Sequence, residues 1–305
     1  MSNLIEGRDY LIEKGNTVFT ASFLERRGHC CGNGCRNCPY SFPNDKRVVS
    51  LVPSWTDTLI GCGVEVIART RFCIHPTERV QGIPAVGGTK ECNYDLINAL
   101  HPDAVILDRE ENAREMAAHL QAPIVATHVK DIPSMVEGMI EINRAVKNAK
   151  LNQLIKQASA LQPLPPNRLP IEKLPGLVKW VKRPTAKVHR ILYLIWRDPW
   201  MAVGPRTFIG SVLAYLGFAG YLADFDQDYP LVSLSDFDRE TTLFLFSTEP
   251  YPFLKKEALI RDLDLNAAIV DGECFGWYGA KAIELLRRFQ VDSPAPPEGK
   301  RMIVP

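Results

Sequence analysis

With 305 residues, 46% of them hydrophobic and 23% charged, the chain carries enough apolar material for one large or two modest cores and none of the bias of a disordered segment. A formal net charge of +1 without a long basic run makes nucleic acid a poor fit as a partner, and no uninterrupted apolar stretch has the length of a membrane span. The opening MSNLIEGRDYLIEKG mixes acids and bases from Glu6 onward, unlike a secretory signal, so the expected compartment is the cytoplasm.

Residues 1–44 read as a small appendage. They hold CCGNGCRNCPY, which puts four of the eight cysteines, Cys30, Cys31, Cys35 and Cys38, into nine positions. In a reducing compartment such a cluster is a metal or redox site rather than a disulfide pair. Four thiols close a tetrahedral zinc site, with Gly32 and Gly34 supplying tight turns and His29 able to replace one of the adjacent pair. The spacing of Cys31, Cys35 and Cys38 also matches the iron–sulfur motif of radical-SAM enzymes. Against that reading, Asn37 stands where an aromatic is usual and no barrel pattern follows. Structural zinc ranks first, an iron–sulfur cluster second and a metal-free loop third; a segment of this size needs a staple to hold a core.

From residue 45 the pattern changes. RVVSLV reads as a buried strand, a short helix follows from Thr56, and VEVIART is a second strand. Helix NYDLINAL, strand DAVILD, helix ENAREMAAHL and strand PIVAT complete a first lobe over residues 45–130. Residues 131–161 carry apolar positions at helical spacing (Met135, Met139, Ile142, Val146, Leu154), which predicts one backbone helix of about 40 Å. A proline-rich connector is expected over 162–187. The alternation restarts over 188–291 with strand HRILYLIW, helix TFIGSVLAYLGF, strand TTLFLFS, helix PFLKKEALIRDL, strand NAAIVDGE and helix GWYGAKAIELLRRFQ, ahead of a tail at 292–305. Strands alternating with helices imply parallel sheets covered on both faces. The predicted class is α/β: two Rossmann-like lobes joined by a long helix, with a cleft between them and a small Cys-rich module in front.

Ligands of parallel sheets bind beyond the carboxyl ends of the strands, so the segments just after each strand are the candidates. Here they are PSWTD (Pro53, Ser54, Trp55), RFCIHP (Arg71, Phe72, Cys73, His75), REEN, WRDPWM (Trp196, Arg197, Trp200), STEPYP and DGECFGWYG (Asp271, Glu273, Phe275, Trp277, Tyr278). Four of the five tryptophans fall in them, as a flat, partly apolar ligand requires; the competing reading is packing. Cys73 and His75 suit a soft metal or serve as packed core groups. Asp271 and Glu273, two apart on one expected strand, share a face as an acid pair or else cap the last helix. Arg71, Lys90 and Arg197 are anion contacts or solvated charges. No segment keeps the spacing of a phosphate loop.

Residues from about 46 to 290 resemble the helical-backbone metal receptor superfamily, the solute-binding proteins that include periplasmic cobalamin- and siderophore-binding members. RVVSLVPSWTDTLIGCGV and GGTKECNYDLINALHPDAVI carry its first-lobe pattern, and the helix after Ile132 its backbone. The resemblance implies a metal chelate held in the cleft, with residues 53–55 and 196–200 lining it. RFCIHP, WRDPWM and DGECFGWYG look most like a branch described as cobalamin-binding. Transport members are exported and dock on a permease; without an export signal a permease partner is doubtful, and storage, sensing or hand-over of the ligand is expected. The first 44 residues resemble a separate short cysteine-rich module. The reading from a different class is a metal-dependent or iron–sulfur redox enzyme that uses the cysteine cluster, with Asp271 and Glu273 as its acid and base.

Overall fold

The computed structural model describes residues 4–13, 15–28, 37, 46–166 and 170–291. Cys30, Cys31, Cys35, Cys38 and His29 lie outside them. The chain divides into two compact units: Met1–Ala160 with Arg206–Ser211 and Phe275–Lys281, and Leu161–Pro205 with Val212–Cys274 and Ala282–Pro305. The sequence reading assigns all of DGECFGWYG to the second lobe, whereas its last five residues, 275–279, fall in the first unit.

The first unit opens on an antiparallel hairpin, β1 (Tyr10–Glu13) and β2 (Asn16–Phe19), followed by a helix at Ala21–Arg27. Thr20 caps that helix, accepting the Phe23 N–H, and Gly28 ends it in the left-handed conformation. Leu24 is wholly buried against Phe19, Phe23 and Ala149. Asp9, 2% exposed, accepts from Ile5 N at 2.9 Å and pairs with Arg8 and Arg26; the Arg8 bond leads in holding its carboxyl below the usual range. The sequence shows little of this element because its apolar contacts are few and one of them, Ala149, is remote.

The main sheet has the order β4-β3-β5-β6, all parallel: β3 (Arg47–Ser50), β4 (Glu65–Arg69), β5 (Ala104–Asp108) and β6 (Ile124–Thr127). The order of strand addition reverses between β3 and β5, with β4 added on one side and β5 and β6 on the other, which makes the crevice at the carboxyl ends of β3 and β5 the topological switch point. All five residues of β5 are buried, as a central parallel strand demands. The helix after β3 starts at Pro53, not Thr56, because proline at the first helical position needs no N–H partner. The helix expected over ENAREMAAHL is only a 3-10 turn, Arg114–His119.

The span read as one long helix is two, Ile132–Val146 and Ala149–Ser159. Asp131 and Ser134 form a reciprocal capping box at the first start. Lys147 turns left-handed, at φ 50°, and Asn148 caps the second start by accepting the Leu151 N–H at 2.9 Å. Buried positions 135, 139, 142 and 146 are followed by 151, 155 and 158, so the apolar phase slips where the backbone breaks, and Leu154 is only half-buried.

In the second unit β8 (Arg190–Trp196), β10 (Thr242–Ser247) and β11 (Ala267–Val270) are parallel, in the sheet order β7-β11-β10-β8-β9. Two strands were not expected. β7 (Leu177–Lys182) lies inside the supposed connector and runs antiparallel to β11, and β9 (Met201–Ala202) runs antiparallel to β8. LVKWVK has the spacing of a strand, but the surrounding prolines mask it. Leu192, Leu194, Phe244, Phe246, Phe253 and Ile269 form the core. TFIGSVLAYLGF is helical only at Phe208–Leu213; a π turn follows at Ala214–Phe218, with Gly217 at φ 86°.

Candidate functional site

The carboxyl edge of the first unit's sheet gathers the segments after β3, β4 and β5. Trp55 is not on a loop: it sits in the first turn of its helix and is wholly buried. Its Nε1 donates to Thr127 Oγ1 at 2.9 Å, and its ring meets Tyr278 edge-on at 4.8 Å. Pro53 is half-buried and Ser54 buried beside it.

Cys73 is a packed residue too. Its sulfur lies 3.1 Å from both Thr56 Oγ1 and Thr70 Oγ1, and burial pushes the thiol's pKa up, against the thiolate a metal needs. His75 meets the edge of Trp277 at 5.3 Å, and Lys281 stands 4.1 Å over the same ring. Arg71 lies over Phe72 at 4.9 Å and 3.6 Å from Glu91, while Phe72 itself is half exposed. Lys90 Nζ donates to the Glu110 carbonyl at 2.8 Å. Phe275, Trp277 and Tyr278 are all buried. Among the described residues no three His, Cys, Asp or Glu side chains are arranged to hold a metal ion.

The sequence reading quoted the segment after β5 without giving it a role. Asp108, at the strand's end, is 1% exposed. Its carboxylate accepts from Thr127 Oγ1 at 2.7 Å, Val129 N at 3.1 Å and Glu110 N at 3.0 Å. Asn112 ties this corner to β3, its Nδ2 donating to Leu51 O at 3.1 Å and Thr89 O at 2.8 Å. Burial first and Asp108 second raise the Glu111 pKa. The available signal was REEN directly behind a strand ending in Asp.

In the second unit Trp196 is 42% exposed at the end of β8, with Tyr251 edge-on at 5.6 Å. Trp200 stacks on Phe253 at 6.0 Å, and Arg197 lies over it at 5.7 Å. Trp196 therefore presents an aromatic surface, whereas Trp200 is partly committed to the core. The expected acid pair on one strand does not form. β11 stops at Val270, and Asp271 Oδ1 accepts the Glu273 N–H at 3.0 Å, so this aspartate caps the short helix Gly272–Gly276. Gly272 is required there, since a Cβ would sit 2.5 Å from Ser247 Oγ.

The second unit's edge carries exposed Trp196 and, next to it, Arg197 over Trp200, and the first unit's edge carries buried Asp108, buried Tyr278 and a tryptophan, Trp277, under Lys281.

A family of unknown function (DUF5522) matches residues 1–44 and brings no activity with it. The chain has no significant match among curated proteins. Solved structures do match. The periplasmic vitamin B12-binding protein BtuF of Vibrio cholerae superposes with a TM-score of 0.56 at 15% identity, over 81% of this chain and 95% of that one. S. aureus IsdE complexed with heme gives 0.58 at 14% identity, over 81% and 98%. The periplasmic heme-binding protein RhuT from Roseiflexus sp. RS-1 gives 0.57 at 16% identity, over 81% and 97%. With these solute-binding proteins the chain shares its fold, a pair of α/β lobes each built on a largely parallel sheet.

Proposed function

We propose that this protein is a receptor for a metal chelate, a corrinoid such as cobalamin in the first instance, bound on the loops at the carboxyl ends of its strands. The observation that carries the reading is Trp196, a large aromatic left exposed beside Tyr251 at the end of β8, where this class of sheet binds its ligands. The solved structures of the same fold add support, since proteins named for vitamin B12 and heme binding are among them. The receptor works in the cytoplasm, storing or handing over its ligand. Among the described residues no helix is long and apolar enough to cross a membrane.

Titration of the purified full-length chain with cyanocobalamin, haemin and a ferric siderophore, followed by absorbance and calorimetry, is expected to show micromolar binding of at least one. Trp196→Ala is expected to weaken that binding by about tenfold or more, the cost of removing an aromatic wall. If all three leave spectrum and heat unchanged, the receptor reading fails.

The cysteine quartet Cys30, Cys31, Cys35 and Cys38 is assigned to structural zinc. Elemental analysis of the as-isolated protein is expected to find one zinc per chain and no colour. Brown protein with iron and sulfide would overturn the assignment in favour of a redox cluster.

A further inference from the structure

Three chain segments of the second unit meet at one edge of its sheet. In β9, Met201 lies opposite Trp196 of β8, and on its other side it lies opposite Leu231. The Ala202 N–H donates to Pro230 O and the Val232 N–H to Trp200 O, both at 3.0 Å. Met201 and Leu231 are therefore a narrow antiparallel pair, with their side chains close together on one face. Their chain neighbours turn the other way: Ala202 and Pro230 are buried, and Trp200 and Val232 pack against the core. Trp196, Met201 and Leu231 thus form a row about 10 Å across at the backbone. Tyr251 meets the Trp196 ring edge-on at one end, and at the other Leu231 is 60% exposed. Outer sheet edges ordinarily carry charges at such positions; this row has none, and an apolar patch assembled from separate segments marks a binding surface.

The geometry points to an apolar shelf that seats a hydrocarbon edge of the ligand, so that the chelate accepted is a tetrapyrrole macrocycle with alkyl groups on its rim and not an open ferric chelate that presents peptide and hydroxamate groups. The inference rests on the chelate-receptor reading; it names the ligand class and adds Met201 and Leu231 as specificity-determining residues. The shelf is continuous with the Trp196 ring, so a flat ligand lying on that ring extends over its neighbours in the row. Trp196 supplies a rigid wall, the Met201 thioether adapts to an uneven ring edge, and Leu231 takes alkyl surface out of water. A polar rim laid on the same row loses its hydration and finds no side-chain hydrogen-bonding group on Met201 or Leu231 to replace it.

Titration of the full-length protein with cyanocobalamin, haemin and ferrichrome, a ferric hydroxamate, tests it on the wild type and on three variants. At least one macrocycle is expected to bind the wild type about tenfold or more tightly than ferrichrome does. Leu231→Glu is expected to weaken that binding about tenfold, and Leu231→Thr, which keeps the preference for a strand, to weaken it severalfold. Val178→Glu is the control: Val178 is 47% exposed on β7, at the opposite edge of the sheet, and its change is expected to leave affinity as it was. Unchanged macrocycle affinity in both Leu231 variants, an equal loss in Val178→Glu, or ferrichrome bound as tightly as either macrocycle would overturn the shelf and leave the receptor reading standing. Binding of none of the three would remove both.

Discussion

Replacing Trp55 with alanine is expected to cost the first unit about 3–5 kcal/mol of stability, the range for deleting a buried tryptophan or phenylalanine from a core. The side chain is wholly buried. Its loss leaves Thr127 Oγ1 without the Nε1 donor at 2.9 Å and Tyr278 without its edge-on neighbour. Gly138 is also fitted to the ring: a Cβ there would lie 3.2 Å from Trp55 Cζ2, so the helix packs closely on the indole. Urea unfolding monitored by circular dichroism measures the effect. Trp55→Phe keeps most of the volume and loses the donor, and is expected to fall between wild type and alanine. A change below about 1 kcal/mol for alanine would mean that the site collapses freely and that Trp55 is not a core residue.

The second large effect is expected at Gly279, which sits at φ 77°. An alanine Cβ there would overlap Thr58 Oγ1 well inside van der Waals contact and stand 3.3 Å from Trp55 Cζ3. Left-handed strain of about 1–2 kcal/mol and overpacking of about 1–3 kcal/mol combine to a loss of about 3 kcal/mol. Displacing Thr58 also breaks its acceptance of the Ala280 N–H at 3.0 Å, which starts the last helix, Ala280–Val291. A double-mutant cycle separates the terms. In a Thr58→Ala background Gly279→Ala is expected to cost only the backbone strain plus a residual contact. Equal costs in both backgrounds would show that Thr58 is not the obstacle.

Both substitutions act on one packed cluster, because Gly279 follows Tyr278, whose ring meets Trp55 edge-on at 4.8 Å and Phe208 edge-on at 5.5 Å. The Tyr278 ring is thus held by packing.

The sequence by itself determined the class of the fold. Short aliphatic runs such as RVVSLV and DAVILD, alternating with helical periodicity, have one economical solution in parallel sheets whose strands are buried on both faces. It also determined which segments follow the strands, because that needs only element order. Element ends were less legible. Pro53 reads as a turn until its place at a helix start is known, and the prolines around LVKWVK hide a strand whose partner, β11, lies far along the chain. The break at Lys147 was visible only as a slip in apolar spacing.

What tertiary structure alone decided is which side chains face outward. Trp55 comes shortly after a strand and Trp196 ends one, yet the first is buried and the second 42% exposed. Burial is a sum over neighbours remote in sequence, and no local pattern encodes Tyr278 against Trp55. The same reason decided between the two readings of Asp271, which caps the short helix Gly272–Gly276 instead of joining an acid pair.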